Sequence, residues 1–74
     1  MKYEVQYLAR KGRAIGIFYR VDVTVHADSV VEAASKAFDE LHRRGMETLH
    51  PKAVLRIDGD NPVDVTHELF VTSS

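Results

Sequence analysis

The sequence predicts an α+β fold of order β-β-α-β-β, in which one amphipathic helix covers one face of an antiparallel sheet of about four strands. Two stretches with period-two apolar alternation precede a single stretch with helical apolar spacing, and two more period-two stretches follow it. The segments between them are short and carry glycine, proline or aspartate, as turns do. The 74 residues suffice for one domain. We place this domain at 1–72 and a flexible tail at 73–74.

The first two strands are predicted on either side of a basic turn. Residues 2–9 place Tyr, Val, Tyr and Ala at odd positions between polar side chains, which is typical of a half-buried strand. Residues 15–25 continue the pattern, with Ile, Tyr and Val at odd positions. Gly12 is expected to supply the positive φ of a tight hairpin between them.

The helix is predicted over 29–44. Ser29 and Glu32 have the spacing of a capping box, in which Ser29 Oγ accepts from the N–H of Glu32 and the Glu32 carboxylate accepts from the N–H of Ser29. Gly45 follows the last turn, as a left-handed stop does. The residues expected on the buried stripe are Val30, Ala33, Ala34, Ala37, Phe38 and Leu41.

A second hairpin is predicted after a connector at 46–51. Its strands are expected over 52–58 and 63–72, joined by the turn sequence Asp-Gly-Asp-Asn-Pro at 58–62. The side chains expected on the core face are Ala53, Leu55 and Ile57 in the third strand, and Val63, Val65, His67, Leu69 and Val71 in the fourth. Phe18 and Phe70 are out of phase with these core faces. They are therefore expected either on the open face of the sheet or at an edge under a loop.

The composition favours a protein without catalytic chemistry. The chain has no cysteine, which excludes a thiolate nucleophile and a disulfide, and its four histidines have no spacing typical of metal ligands. The run at 58–61 resembles the start of a calcium loop, but Leu69 stands where the bidentate glutamate is required. We therefore expect no enzyme activity, no metal and no cofactor.

Charge is unevenly placed along the chain. The net charge is −1, yet most cations of the N-terminal third cluster around the first hairpin. The candidate partner-binding residues are Arg10, Lys11, Arg13, Phe18 and Arg20. Bipolar charge suits a protein partner, because complementary charges steer and align two surfaces. The alternative is nucleic acid, whose phosphates these cations would contact.

The segment 23–37 carries a resemblance to known families. Its sequence Val-Thr-Val-His-Ala-Asp-Ser-Val-Val-Glu-Ala-Ala-Ser-Lys-Ala is similar to that of small phage-encoded inhibitors of host RNA polymerase and of small type I anti-CRISPR proteins. The same segment and the N-terminal Met-Lys-Tyr-Glu-Val also resemble the N-terminal domain of Hic-type antitoxins. The chain lacks the Pro-Asp-Leu-Pro-Gly-Cys segment of those antitoxins and their DNA-binding part.

The first resemblance implies a protein that binds and blocks a host protein complex, in the host cytoplasm. The second implies an antitoxin-like regulator that contacts nucleic acid. The leading hypothesis is a non-catalytic protein-binding module, with the nucleic-acid-binding regulator as its alternative. No apolar run approaches the roughly 18 residues of a membrane span, which also predicts a cytoplasmic protein without membrane contact. Association into a homodimer, through an edge strand or the open face, is a further mode that such a sheet permits.

Overall fold

The computed structural model describes residues 1–12 and 16–70 and confirms the predicted fold class. Four antiparallel strands form one sheet of order β2-β1-β3-β4, and one helix packs on it. The elements are β1 (Lys2–Lys11), β2 (Tyr19–His26), α1 (Val30–Arg43), β3 (Met46–Asp58), β4 (Asn61–Asp64) and a 3₁₀ helix (Thr66–Leu69). None of the helices in this part of the chain is long and apolar enough to cross a membrane.

Strand β1 lies at the centre of the sheet and carries much of the core. Its odd-numbered side chains from Tyr3 to Ala9 are buried, whereas the even-numbered ones are partly or fully exposed. The hydroxyl of Tyr7 donates to the carbonyl of Ala34 in α1 at 2.9 Å, so the odd-numbered face lies against the helix. The alternation predicted for this strand is confirmed.

Helix α1 begins as its capping sequence predicts. Ser29 has an extended backbone, and its Oγ accepts from the N–H of Glu32 at 3.1 Å. The Glu32 carboxylate differs from the prediction, because it pairs with Lys36 Nζ at 3.1 Å and not with the N–H of Ser29. The helix-capping half of the box therefore forms, and the reciprocal half is replaced by an ion pair.

Five residues of the predicted helix stripe are buried, but Phe38 is 41% exposed. At 3.6 residues per turn, Phe38 lies about 80° around the helix from Val30, on the flank of the stripe. Its ring packs on the ring of His42, with centroids 4.0 Å apart. The prediction of Phe38 as a core residue is wrong because small alanines, and not a bulky ring, bring α1 close to the sheet.

The positive φ occurs at Gly45 and not at Gly12. Gly45 ends the helix with φ 79°, as predicted. Among the described glycines, only Gly45 and Gly59 have positive φ, so the prediction for Gly12 is wrong. The N–H of Gly12 donates to the carbonyl of Gly45 at 2.9 Å, and a Cβ at Gly12 would lie 3.0 Å from that oxygen. Glycine is required here by this close approach of two backbone segments.

Strand β2 begins at Tyr19, later than predicted. Ile17 is 90% exposed and precedes the strand, and Ile15 lies outside the described residues. Pairing with β1 ends at Ala9 opposite Tyr19, since the chain must leave the sheet to turn. Within the strand the predicted face is correct, because Val23 is 4% exposed and its odd-numbered neighbours Val21 and Val25 pack against the core.

Strand β3 begins at Met46, where a connector was predicted. Met46 pairs with Lys11, and Pro51 pairs with Tyr7, so the segment 46–51 belongs to the sheet. The register shifts twice, between Gln6 and Tyr7 and between Tyr7 and Ala9. Such irregularities insert extra residues into the strand. Its apolar side chains therefore do not alternate strictly, and the sequence pattern does not indicate a strand.

The predicted face of β3 is wrong. Val54 is fully buried beside Val5 beneath the helix, whereas Leu55 pairs with Glu4 and is partly exposed on the other face. Ala53 and Ile57 share the face of Leu55 and are also partly exposed. The prediction relied on the two large apolar side chains of Leu55 and Ile57. The orientation of β3 is set instead by its register with β1, which places Val54 beside Val5.

The last predicted strand is short and turns into a helix. The turn at Gly59 forms as predicted, with φ 63° and Asp58 paired with Asn61. Strand β4 ends at Asp64, whose carboxylate accepts from the N–H of Thr66 at 2.9 Å and opens the 3₁₀ helix. Of the predicted core residues, only Val65 is buried; Leu69 packs partly against the core, Val63 and His67 are exposed, and Val71 lies outside the described residues.

Candidate functional site

The face of the sheet opposite α1, called here the open face, is uncovered by any helix or strand in ranges 1–12 and 16–70. The alternation of side chains places on it the even-numbered residues of β1 and β2 and the odd-numbered residues 53–57 of β3. Its apolar centre is formed by partly exposed side chains, namely Leu8, Ala53, Leu55 and Ile57. Sequence reasoning missed this centre because it assigned the β3 residues to the core.

Arg10 is the organising residue at the hairpin end of the open face. Its Nη2 and Nε each lie 3.0 Å from Glu47 Oε2. Its Nη1 donates to the carbonyl of Gly16 at 3.3 Å, and its guanidinium carbon lies 4.5 Å from the centroid of the Phe18 ring. Two strands and the segment that leads into β2 therefore fix this cation, and its side chain remains 31% exposed.

Of the five predicted residues, the structure brings Arg10, Phe18 and Arg20 to this end of the open face. Phe18 lies against Arg10 and is partly exposed, as expected for a ring on this face. Arg20 is paired with Asp22, at 3.4 Å between Nε and Oδ1. Lys11 is the last residue of β1 and is exposed. Because it is odd-numbered, it lies at the rim of the open face and not on it. Arg13 lies outside the described residues.

An exposed apolar side chain adjoins Phe18 at this end of the sheet. Ile17, next to Phe18, is 90% exposed; Tyr19 is 49% exposed, but it pairs with the buried Ala9 and is odd-numbered, so it lies on the helix side of β2. Sequence reasoning assigned both to the core because they continue the odd-numbered alternation of the strand. It also gave no signal for Glu47, whose contact with Arg10 joins residues 37 positions apart. We call Arg10, Lys11, Arg20 and residues 16–18 the hairpin-end surface.

Phe70 does not join this surface. It follows the 3₁₀ helix, which packs on α1 and so lies on the helix side of the sheet. Phe70 is 73% exposed there. The expectation that it lies on the open face or at an edge under a loop is wrong, because the strand that would have carried it ends at Asp64.

A groove of about 660 Å³ lies between α1 and β2, which is an edge strand of the sheet. Its walls carry both signs of charge. The lining residues are Asp22–His26 of the strand and Lys36, Asp39, Glu40, Arg43 and Arg44 of the helix. Glu40 pairs with Arg43 and with Arg44, each at 3.2 Å, so much of this charge is already compensated within the helix.

The perturbed pKa values belong to structural contacts. Burial, and secondarily the charge of Asp39, raises the pKa of Tyr7. The hydrogen bond from Lys36 lowers the pKa of Glu32, and the hydrogen bonds from Thr66 lower the pKa of Asp64. Within the described part of the chain, no three His, Asp or Glu side chains are placed to hold a metal ion.

Comparisons with known proteins add no relative to this description. No family model, curated protein or solved structure matches the chain.

Proposed function

We propose that the chain is a non-catalytic protein-binding module that uses the hairpin-end surface. The observation that carries the proposal is the fixed, part-exposed Arg10, held by Glu47, the carbonyl of Gly16 and the ring of Phe18. Arginine and aromatic side chains dominate the binding energy of many protein interfaces. A side chain that is already ordered loses less entropy when a partner binds.

The chemistry of the surface favours a partner that presents carboxylates beside apolar groups. Arg10 is part-exposed, Lys11 and Arg20 are exposed, and the partly exposed Phe18 and the exposed Ile17 add apolar area beside them. Burial of this apolar area supplies a driving force of roughly 25 cal/mol per Å². The cations would steer an acidic surface into register with it.

The resemblance of the segment 23–37 to phage proteins supplies the partner class that we propose. That class is a protein or protein complex of the host cell, which the module binds and inhibits, in the host cytoplasm. Small size suits this role, because one surface of a compact domain is enough to block a larger one.

A nucleic-acid-binding regulator remains the alternative function. The basic first hairpin favours it, since cations at a hairpin can contact phosphates. Two of these cations are each paired with a carboxylate, Arg10 with Glu47 and Arg20 with Asp22, which reduces their availability. A protein partner can in addition bury the apolar side chains beside these cations, and we therefore prefer it.

The test compares capture by the wild-type chain with capture by Arg10→Ser and Phe18→Ser. The immobilised chain is exposed to nuclease-treated lysate of cells that express it, and bound proteins are quantified by mass spectrometry. We expect one set of proteins to be retained by the wild-type chain and depleted at least about tenfold by each substitution. Titration with the purified partner should give the same loss of affinity.

Lys2→Ser is the matched control. Lys2 lies on the same strand and the same face as Arg10, about 27 Å away at 3.4 Å per residue. Equal capture by Arg10→Ser and wild type would refute the proposed surface. If no protein is captured, and purified generic RNA or DNA is shifted in a mobility-shift assay with a steep loss of binding between low and high salt, the alternative is established.

A further inference from the structure

No strand within residues 1–12 and 16–70 pairs with the outer edge of β2, which exposes an ordered row of backbone groups. Met1 and Ala27 exchange two hydrogen bonds of 2.9 Å, N–H to carbonyl in each direction. Hydrogen-bonded pairs alternate along an antiparallel ladder, and β2 runs without a register shift against β1. The odd-numbered residues of β2 therefore bond to β1, and the even-numbered residues point their N–H and C=O groups outward.

A side-chain contact supports this assignment. Lys36 Nζ of α1 donates to the carbonyl of His26 at 2.8 Å. His26 is even-numbered, so its carbonyl is one of those that point away from β1. The outward groups of Thr24 and Asp22 continue the row along the groove between β2 and α1, and those of Arg20 extend it beyond the groove.

Lys36 covers this edge at the His26 carbonyl, whose second lone pair can still accept, but most features that prevent pairing with another strand are absent from β2 itself. β2 has eight residues, with no proline, no lysine and no irregularity in its register. The opposite edge, β4, has four residues and contains Pro62, which has no N–H.

We propose that β2 pairs with β2 of a second copy of this chain, antiparallel, with the two-fold axis at Thr24. In this register the outward N–H and C=O groups of one copy face those of the other. Asp22 of each copy lies opposite His26 of the other copy. The register also sets Thr24 opposite its own copy and Val23 opposite Val25. Opposed threonines and unlike polar or charged pairs stabilise antiparallel strands.

The neighbouring registers are less favourable. An axis at Asp22 places two identical carboxylates directly opposite each other, which destabilises a strand pair. An axis at Val23 places Arg20 opposite His26 and leaves Asp22 opposite a neutral threonine. The axis at Thr24 gives one eight-stranded sheet with both helices on the same face, because the two-fold axis is perpendicular to the sheet.

The first test removes one outward N–H. The N–H of Thr24 makes no bond to β1, so Thr24→Pro should leave the fold intact and block the proposed pairing, whereas Thr24→Ala keeps the N–H. Sedimentation between about 1 μM and about 1 mM should show dimers for wild type and Thr24→Ala, and monomers for Thr24→Pro. A wild-type chain that is monomeric at about 1 mM overturns the proposal and leaves the edge to an extended segment of another protein.

The second test reports the register and does not depend on the fold of a proline variant. Because the chain has no cysteine, Thr24→Cys introduces a single thiol. The two copies of position 24 would be about 5.5 Å apart between Cα atoms, which a disulfide can span. The two copies of Arg20 would be about 27 Å apart in this register. Oxidation should crosslink Thr24→Cys and not Arg20→Cys, and equal crosslinking of the two variants refutes the register.

Discussion

Tyr7 shows how one polar atom fixes the position of the helix on the sheet. Its side chain is 3% exposed, and its hydroxyl donates to the carbonyl of Ala34. Tyr7→Phe should lower the free energy of unfolding by about 1 kcal/mol at neutral pH, since one buried hydrogen bond is lost. Urea unfolding of the two proteins at the same pH measures this difference.

Tyr7 also gives a dependence on alkaline pH. Burial and the charge of Asp39 raise the pKa of Tyr7 above its usual value of about 10. Folding thus favours the neutral hydroxyl. Its contribution to the free energy of unfolding is complete below about pH 10, and it is lost as the pH rises through the higher pKa of Tyr7 in the folded state. Unfolding measured from about pH 8 upward should show a smaller loss of stability for Tyr7→Phe than for wild type. Parallel losses would contradict the assignment.

Thr66 connects the end of β4 to the core strand β3. Its Oγ accepts from the N–H of Val54 at 3.0 Å and lies 2.6 Å from Asp64 Oδ1, to which it donates. Thr66→Val has nearly the same shape but leaves the N–H of Val54 without a partner. We expect it to lower the free energy of unfolding by about 1–3 kcal/mol, and Thr66→Ser to cost less because its hydroxyl is kept. Thermal unfolding of the three proteins gives the comparison.

At the scale of the elements, α1 was predictable from the sequence because its signals are local. The cap at Ser29, the small residues of the stripe and the stop at Gly45 all act within a few positions along the chain. The prediction that Phe38 is buried was wrong because a residue on the flank of the buried stripe fits the same helical spacing as a residue at its centre.

The strands were less predictable because their limits depend on distant partners. β3 extends back to Met46 only because β1 continues to Lys11 and pairs with it through two register shifts. β4 ends early because the Asp64 carboxylate accepts from Thr66 and diverts the chain into a 3₁₀ helix. The contact between Arg10 and Glu47 has the same non-local origin, so the candidate site was found as a cluster of cations but not as a geometry.

The orientation of β3 gives a prediction at the scale of this strand. Val54 is fully buried and Leu55 is partly exposed on the open face. Val54→Ala should therefore lower the free energy of unfolding by about 2 kcal/mol, and Leu55→Ala by less, although leucine loses more atoms. Chemical unfolding of both variants ranks them. The reverse ranking would show that the strand faces the other way.

At the scale of the whole molecule, the core of the described residues lies on the helix side of the sheet, which leaves two surfaces with separate physical bases. The hairpin-end surface relies on side chains, with Arg10 fixed beside exposed apolar groups. The free edge of β2 relies on backbone groups, which any side-chain substitution other than proline preserves. A domain of this size has little interior to spare, so we expect both of its interactions to occur at the surface.

This separation predicts that the two interactions can be lost independently. Thr24 lies opposite Glu4 on β1, six residues from Arg10, which is about 20 Å along the strand. Thr24→Pro should therefore give a monomer that still captures the partner protein, and Arg10→Ser a dimer that does not. Sedimentation and quantitative capture on the same preparations measure both properties. If either substitution removed both, the edge and the hairpin end would belong to one interface, since effects at independent sites add without coupling.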